Sequence, residues 1–147
     1  MAAFKRIIVP TDFSKHSKHA LGAAVVLARQ FHSDVYLVNV TEDPILLTPF
    51  FGETLPMYYG LPEVQKAMQE KAAAELQKIA KNFKGSHVIC KVLRGKAAPT
   101  LCTYAAACQA DLIILSTHGL GFVRKALMGS TTDYVLKHCK LPVLVVQ

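Results

Sequence analysis

Leu112-Ile113-Ile114-Leu115-Ser116-Thr117-His118-Gly119-Leu120-Gly121, continuing through Phe122 to Met128 and on to Gly129-Ser130-Thr131-Thr132, is the stretch that decides the fold. Its first four residues are a short apolar run and predict a buried strand. The run empties into a glycine-bearing loop, and a helical pattern opens at Gly129-Ser130-Thr131. Strand, loop and Ser/Thr-started helix in that order make an anion site in α/β proteins. Glycines let the backbone approach a ligand closely, and the helix start offers N–H groups with a partial positive charge. Phosphate suits such a site.

Outward from that stretch, the chain alternates. Lys5-Arg6-Ile7-Ile8-Val9-Pro10 predicts the first strand, stopped by proline. Asp12 or Ser14 is placed to cap a helix running to about Phe31, with Leu21, Ala24, Ala28 and Phe31 on its apolar side. Asp34–Val40 predicts the second strand, and residues 41–61, rich in proline and aromatics, a long irregular connection. A second helix is expected from Glu63 to Phe83, with Val64, Met68, Ala72, Leu76, Ile79 and Phe83 along one stripe. Ser86–Leu93 reads as the third strand. The third helix starts at Ala97 or Ala98, tolerates Pro99 in its first turn and runs to Cys108. Leu112–Leu115, Thr131–His138 and Val143–Val146 complete the pattern as strand, helix and strand.

Five strands alternating with four helices predict an α/β, doubly wound (Rossmann-like) parallel sheet covered on both faces. In such a sheet, ligands bind beyond the carboxyl ends of the strands, where strand order reverses. The loops after the first and fourth strands hold the most unusual chemistry, Pro10-Thr11-Asp12 and Ser116 to Thr131. If both face one crevice, those strands are neighbours and the order is 3-2-1-4-5. Phosphate donors then line one wall, with a carboxylate on the other.

Composition narrows the class. The chain has 147 residues, 52% hydrophobic and 18% charged, which predicts a single packed domain over residues 1–147. No apolar run approaches the roughly 20 residues of a membrane helix, and Met1–Arg6 leads straight into a strand without a secretory signature, so a cytoplasmic location is expected. The net charge of +7 comes from scattered basic residues. Lys66, Lys71, Lys78, Lys81 and Lys84 alternate with Glu63, Glu70 and Glu75 as a solvated helix face does, and no groove-reading motif appears, so nucleic acid is not an expected partner. Cys90, Cys102, Cys108 and Cys139 are irregularly spaced and read as structural thiols, not as a disulfide framework or zinc site. His16 and His19 read as surface residues.

Competing motifs fail on position. Gly119-Leu120-Gly121 has Arg124 where a dinucleotide fingerprint needs a third small residue, and it follows the wrong strand. Gly129-Ser130 lacks the lysine of a P-loop. Gly129 itself calls for either a positive φ or close approach of a ligand.

From Ile8-Val9-Pro10-Thr11-Asp12-Phe13-Ser14 to Leu141-Pro142-Val143-Leu144-Val145-Val146, the chain resembles the universal stress protein family, within the adenine-nucleotide α-hydrolase-like folds. Nucleotide-binding members carry Gly-x2-Gly-x9-Gly-Ser/Thr after the fourth strand. Here Gly119, nine intervening residues, Gly129 and Ser130 match the later elements, and Ser116 stands where the first glycine is usual. The resemblance implies ATP binding, with AMP and ADP open as the working ligand. It implies adenine against Pro10, Thr11 and Val40, and Asp12 near the ribose and any magnesium on the phosphates. Leu115, Ser116, Thr117, His118, Gly119, Leu120 and Gly121 would wrap the ribose and first phosphates, and Gly129, Ser130 and Thr131 would hold phosphate oxygens. Arg124 and Lys125 receive little weight. A sensor or partner module with at most slow ATP turnover is implied, since no positioned base or arginine finger is evident. The alternative is a dimeric interaction module of the same fold that binds no nucleotide. A homodimer through the edge strand at 142–146 is expected in either case.

Overall fold

The computed structural model describes residues 4–42, 45–50, 53–58, 62–117 and 128–147. In chain order the elements are β1 (Arg6–Pro10), α1 (Ser17–Phe31), β2 (Asp34–Thr41), β3 (Ile45–Phe50), β4 (Glu53–Tyr58), α2 (Pro62–Ala80), β5 (Val88–Arg94), α3 (Ala97–Ala107), β6 (Leu112–Ser116), α4 (Ser130–His138) and β7 (Val143–Val146). Five of the strands form one sheet in the order β5-β2-β1-β6-β7, with every pair parallel. Leaving out β3 and β4, this is the expected order 3-2-1-4-5.

Side-chain alternation along the strands sorts the core into two layers. Ile7, Val9, Val35, Leu37, Leu112 and Ile114 pack with Ala20, Ala24 and Ala28 of α1 and Leu76 of α2. Ile8, Val38, Ile113 and Leu115 face the other way, onto Leu101 and Ala105 of α3 and Val135 of α4. A strand buried on both faces must be apolar at every position, which is why β1 and β6 read as unbroken Val/Ile/Leu runs. Each fully buried aliphatic side chain contributes about 1.5–3 kcal/mol. Alanines at every fourth position of α1 let the helix sit close to the sheet, and Leu21 packs at the margin of the same layer.

Three expectations are corrected. Residues 41–61 are not one irregular connection, because β3 and β4 pair antiparallel from Ile45↔Tyr58 to Phe50↔Glu53. Pro49 and Pro56 disguise this ribbon in the sequence. A ribbon outside the main sheet tolerates them because each strand needs partners on one side only. Second, α2 ends at Ala80, and its buried residues are Ala72 and Leu76, while Val64 and Met68 are exposed. The helix reaches the sheet only from Ala72 onward, so the first half of its apolar stripe lies outside the core. Third, Cys102 and Cys139 are joined by a disulfide, although 37 positions apart. Local spacing cannot reveal a bond that depends on α3 and α4 lying side by side. No described helix is long and apolar enough to cross a membrane.

Candidate functional site

The crevice begins with a proline. Thr11 donates its N–H to Val38 O at 2.8 Å, so odd-numbered residues of β1 turn their backbone groups toward β2 and even-numbered ones toward β6. Pro10 therefore sits where the next donor to β6 is due, and it has none. Pairing of β1 with β2 runs from Arg6 to Pro10, but pairing with β6 is confined to Ile7↔Leu112 and Ile8↔Ile113. The two central strands part at their carboxyl ends, at the point where strand order reverses.

A buried polar network shapes the turn after β1. The Thr11 hydroxyl donates to Ser17 Oγ (3.0 Å) and accepts the Phe13 N–H (3.0 Å), and Ser17 Oγ donates to Ser14 O (2.7 Å). Asp12 Oδ1 accepts the Ser14 N–H (2.9 Å), and Ser14 Oγ accepts the Ser17 N–H (3.3 Å) at the start of α1. Neither expected cap occupies the N-cap position, which is His16 and makes no side-chain capping bond; Ser14 reaches the first helical N–H from before it, and Asp12 closes the preceding turn. Asn39 Nδ2 donates to Thr11 O at 2.8 Å from within β2. Thr11, Ser14, Ser17 and Asn39 are all buried, as such groups are when each has a partner. Phe13 is held at φ 64°, an uncommon conformation for a large side chain, with its ring partly exposed.

The other wall is the end of β6. Leu115 is buried, and Ser116 and Thr117 are half-buried. Thr117 donates its N–H to Val146 O (3.0 Å), while its carbonyl accepts the Gly129 N–H (2.7 Å). Thr132 Oγ1 donates to Ser116 O (2.8 Å). These bonds fasten the start of α4 to the end of β6. The helix begins at Ser130, one residue before its expected start, and its first internal bond runs from Asp133 N–H to Gly129 O (3.0 Å). The N–H groups of Ser130, Thr131 and Thr132 consequently have no acceptor within the helix. The acid in this first turn, Asp133, is paired with Lys137 at 2.7 Å.

Of the two reasons expected for Gly129, one is ruled out, and its N–H is engaged within the protein. Its φ of −61° and ψ of 148° are extended, so a positive φ is not its reason for being glycine. Its N–H, expected to face a phosphate, is taken by Thr117. Val40 on β2 lies two residues beyond Val38, the partner of Pro10, and so extends past the end of β1. Pro10, Thr11, Asp12 and Val40 thus gather with Leu115, Ser116, Thr117, Gly129, Ser130 and Thr131 along one edge of the sheet. His118, Gly119, Leu120 and Gly121, like Arg124 and Lys125, lie outside the described residues. Sequence reasoning missed Asn39, Ser17 and Thr132. Of these, only Asn39 leaves a signal, as an amide inside the apolar strand Val35-Tyr36-Leu37-Val38-Asn39-Val40. Among the described residues, no three potential ligands gather to hold a metal ion.

A parallel sheet of this order, parting beside a helix start whose first amides lack helical acceptors, defines a doubly wound α/β domain with the ends of β1 and β6 at its switch point. The chain belongs to the universal stress protein family, whose profile it matches over residues 3–147. Universal stress protein MJ0531 of Methanocaldococcus jannaschii is 30% identical over 146 residues, 98% of this chain and 82% of the relative. The structure of MJ0577 superimposes with a TM-score of 0.82 at 24% identity, covering 99% of this chain and 96% of the other. A universal stress protein in complex with cAMP superimposes at 0.71 (20% identity; 99% and 98% covered). One from Archaeoglobus fulgidus in complex with dAMP does so at 0.64 (19% identity; 99% and 100% covered). At these identities the structural likeness is one of fold.

Proposed function

We propose that this chain binds an adenine nucleotide, ATP with magnesium, in the crevice between β1 and β6, and acts as a stress-response sensor or partner module with at most slow ATP turnover. The observation that supports this most is the first turn of α4. The amides of Ser130 and Thr131 lack helical acceptors, Gly129 adds no side chain at their approach, and the turn is anchored to β6 by two hydrogen bonds. Such a helix start receives polyanions through unpaired N–H groups and the helix dipole. That two relatives of this fold are described with cAMP and dAMP supports an adenine nucleotide as the guest.

Adenine would lie against Pro10, Thr11 and Val40. The N–H and carbonyl of Thr11 are bonded to β2 and its hydroxyl within the turn, so Thr11 offers shape and not hydrogen bonds. Asp12 would stand near the ribose and meet magnesium carried on the phosphates, since Mg²⁺ usually takes one or two carboxylates beside phosphate oxygens and water. Leu115, Ser116 and Thr117, with His118, Gly119, Leu120 and Gly121 beyond them, would follow the ribose and first phosphates. β7 is an outer strand with Leu144 partly exposed, and a homodimer through residues 142–146 would cover that edge.

The test is a thermal denaturation series with Mg-ATP, ADP and AMP. Ligand at about 100 times its dissociation constant stabilises by about 2.7 kcal/mol, roughly 8 °C for a chain of this length. Gly129→Val is expected to remove that shift while leaving the unliganded melting temperature close to the parent's, because its extended backbone suits any residue. A parent protein that none of the three nucleotides stabilises, or a Gly129→Val variant with an unchanged shift, overturns the proposal.

A further inference from the structure

The disulfide has no part in that reading, yet its position bears on the same helix. Cys102 lies in the middle of α3, and Cys139 is the first residue after α4. Their Cα atoms are 5.5 Å apart, an ordinary separation for bonded cysteines. The covalent ring they close contains β6, the segment from Ser116 to Thr131 and all of α4. Both residues are half-buried and pack at the margin of the core layer around Ile8, Val38 and Leu101.

What the bond holds is a short element with a small buried face. A helix of nine residues is too short to be stable in isolation, and α4 buries only Thr132 and Val135. Its first turn is tied to β6 through Gly129 and Thr132, and its far end is tied to α3 through Cys139. Cutting the second tie leaves the helix with its bonds to β6 and the packing of Val135 on the core.

We propose that Cys102 and Cys139 are a reversible thiol–disulfide pair whose oxidation fixes α4 and, through it, the turn that presents the Ser130 and Thr131 amides. The co-reactant is a low-molecular-weight disulfide such as glutathione disulfide. One cysteine, as thiolate, attacks a sulfur of the oxidant and expels one thiolate, forming a mixed disulfide. The second cysteine, also as thiolate, attacks the protein sulfur of that intermediate and expels the other. Two protein thiols lose two electrons and two protons, and the oxidant becomes two thiols. A dithiol reverses the sequence. Cys90 and Cys108 are both free, and burial pushes their thiols up and lowers their thiolate fraction. The coupling to ligand rests on the nucleotide reading above, whereas the exchange and its hold on α4 do not.

The test compares the whole protein after glutathione disulfide and after dithiothreitol, beside Cys102→Ser and Cys139→Ser. Thiol titration follows the bond, hydrogen exchange of residues 128–141 follows α4, and Mg-ATP titration follows the site. Expected are two titratable thiols in the oxidised form and four in the reduced. Exchange across α4 should be about tenfold faster when reduced, as local opening becomes easier. Affinity should be about three- to tenfold weaker in that state, since less of the population is competent to bind. In hydrogen exchange and in Mg-ATP affinity, both serine variants should behave as the reduced form whatever the treatment. Four thiols after oxidation, or identical exchange in both states, overturns the proposal. Equal Mg-ATP affinity in both states alongside altered exchange overturns the coupling to ligand. Altered exchange with no nucleotide bound in either state supports the pair and overturns the nucleotide reading instead.

Discussion

Replacing Asn39 by alanine tests whether the turn after β1 is held from below. Asn39 is 8% exposed and its amide donates at 2.8 Å to the carbonyl of Thr11, itself 5% exposed. Deleting the amide removes one neutral hydrogen bond, about 1 kcal/mol, and leaves a buried carbonyl short of a partner at a cost of about 1–3 kcal/mol. Because the two contributions overlap, the expected net loss is about 2–3 kcal/mol. An unfolding entropy near 2.1 cal/mol/K per residue converts this into a fall in Tm of roughly 6–10 °C for a chain of this size. Asn39→Leu separates the causes, since it restores most of the side-chain volume without the donor. Differential scanning calorimetry of the parent and both variants decides the matter. A drop below about 1 °C for alanine, or a leucine variant as stable as the parent, would mean that the Thr11 carbonyl does not depend on Asn39.

Three further predictions concern glycines and thiols. Gly22 lies exposed in α1, with nothing within 4 Å of where a Cβ would stand, so Gly22→Ala should raise stability by about 0.5–1 kcal/mol, read as a higher urea midpoint. Gly95 has φ of 139° and its added Cβ would lie 2.6 Å from Thr100 Oγ1. Thr100 can swing aside but the backbone strain stays, so Gly95→Ala should lower stability by about 1–3 kcal/mol, and an unchanged midpoint would contradict the assigned backbone. Burial raises the Cys90 and Cys108 thiols, so the unfolded chain ionises first as pH rises and their contribution is lost above about pH 9. Urea midpoints at pH 8 and pH 10 should therefore differ less in the Cys90→Ala/Cys108→Ala variant than in the parent, and an equal difference in both would refute the burial effect.

Every element of the main sheet was legible in the sequence, because a strand buried on both faces must be apolar throughout and glycine, proline and capping residues mark its ends. Pro10 and the Gly129-Ser130 helix start were legible for the same local reason, and they set the crevice at the ends of β1 and β6. Contacts between residues far apart in the chain were not. The β3–β4 ribbon depends on a register that prolines conceal, and the Cys102–Cys139 bond on two helices meeting across 37 positions. The Asn39–Thr11 bond crosses from one strand to the turn after its neighbour, and Gly129 turned out to give its N–H to Thr117. Periodicity and turn chemistry act over a few residues and so determine which elements form and where their ends lie. Which amide meets which carbonyl, and which thiol meets which, is settled only when packing of the two layers brings those ends together.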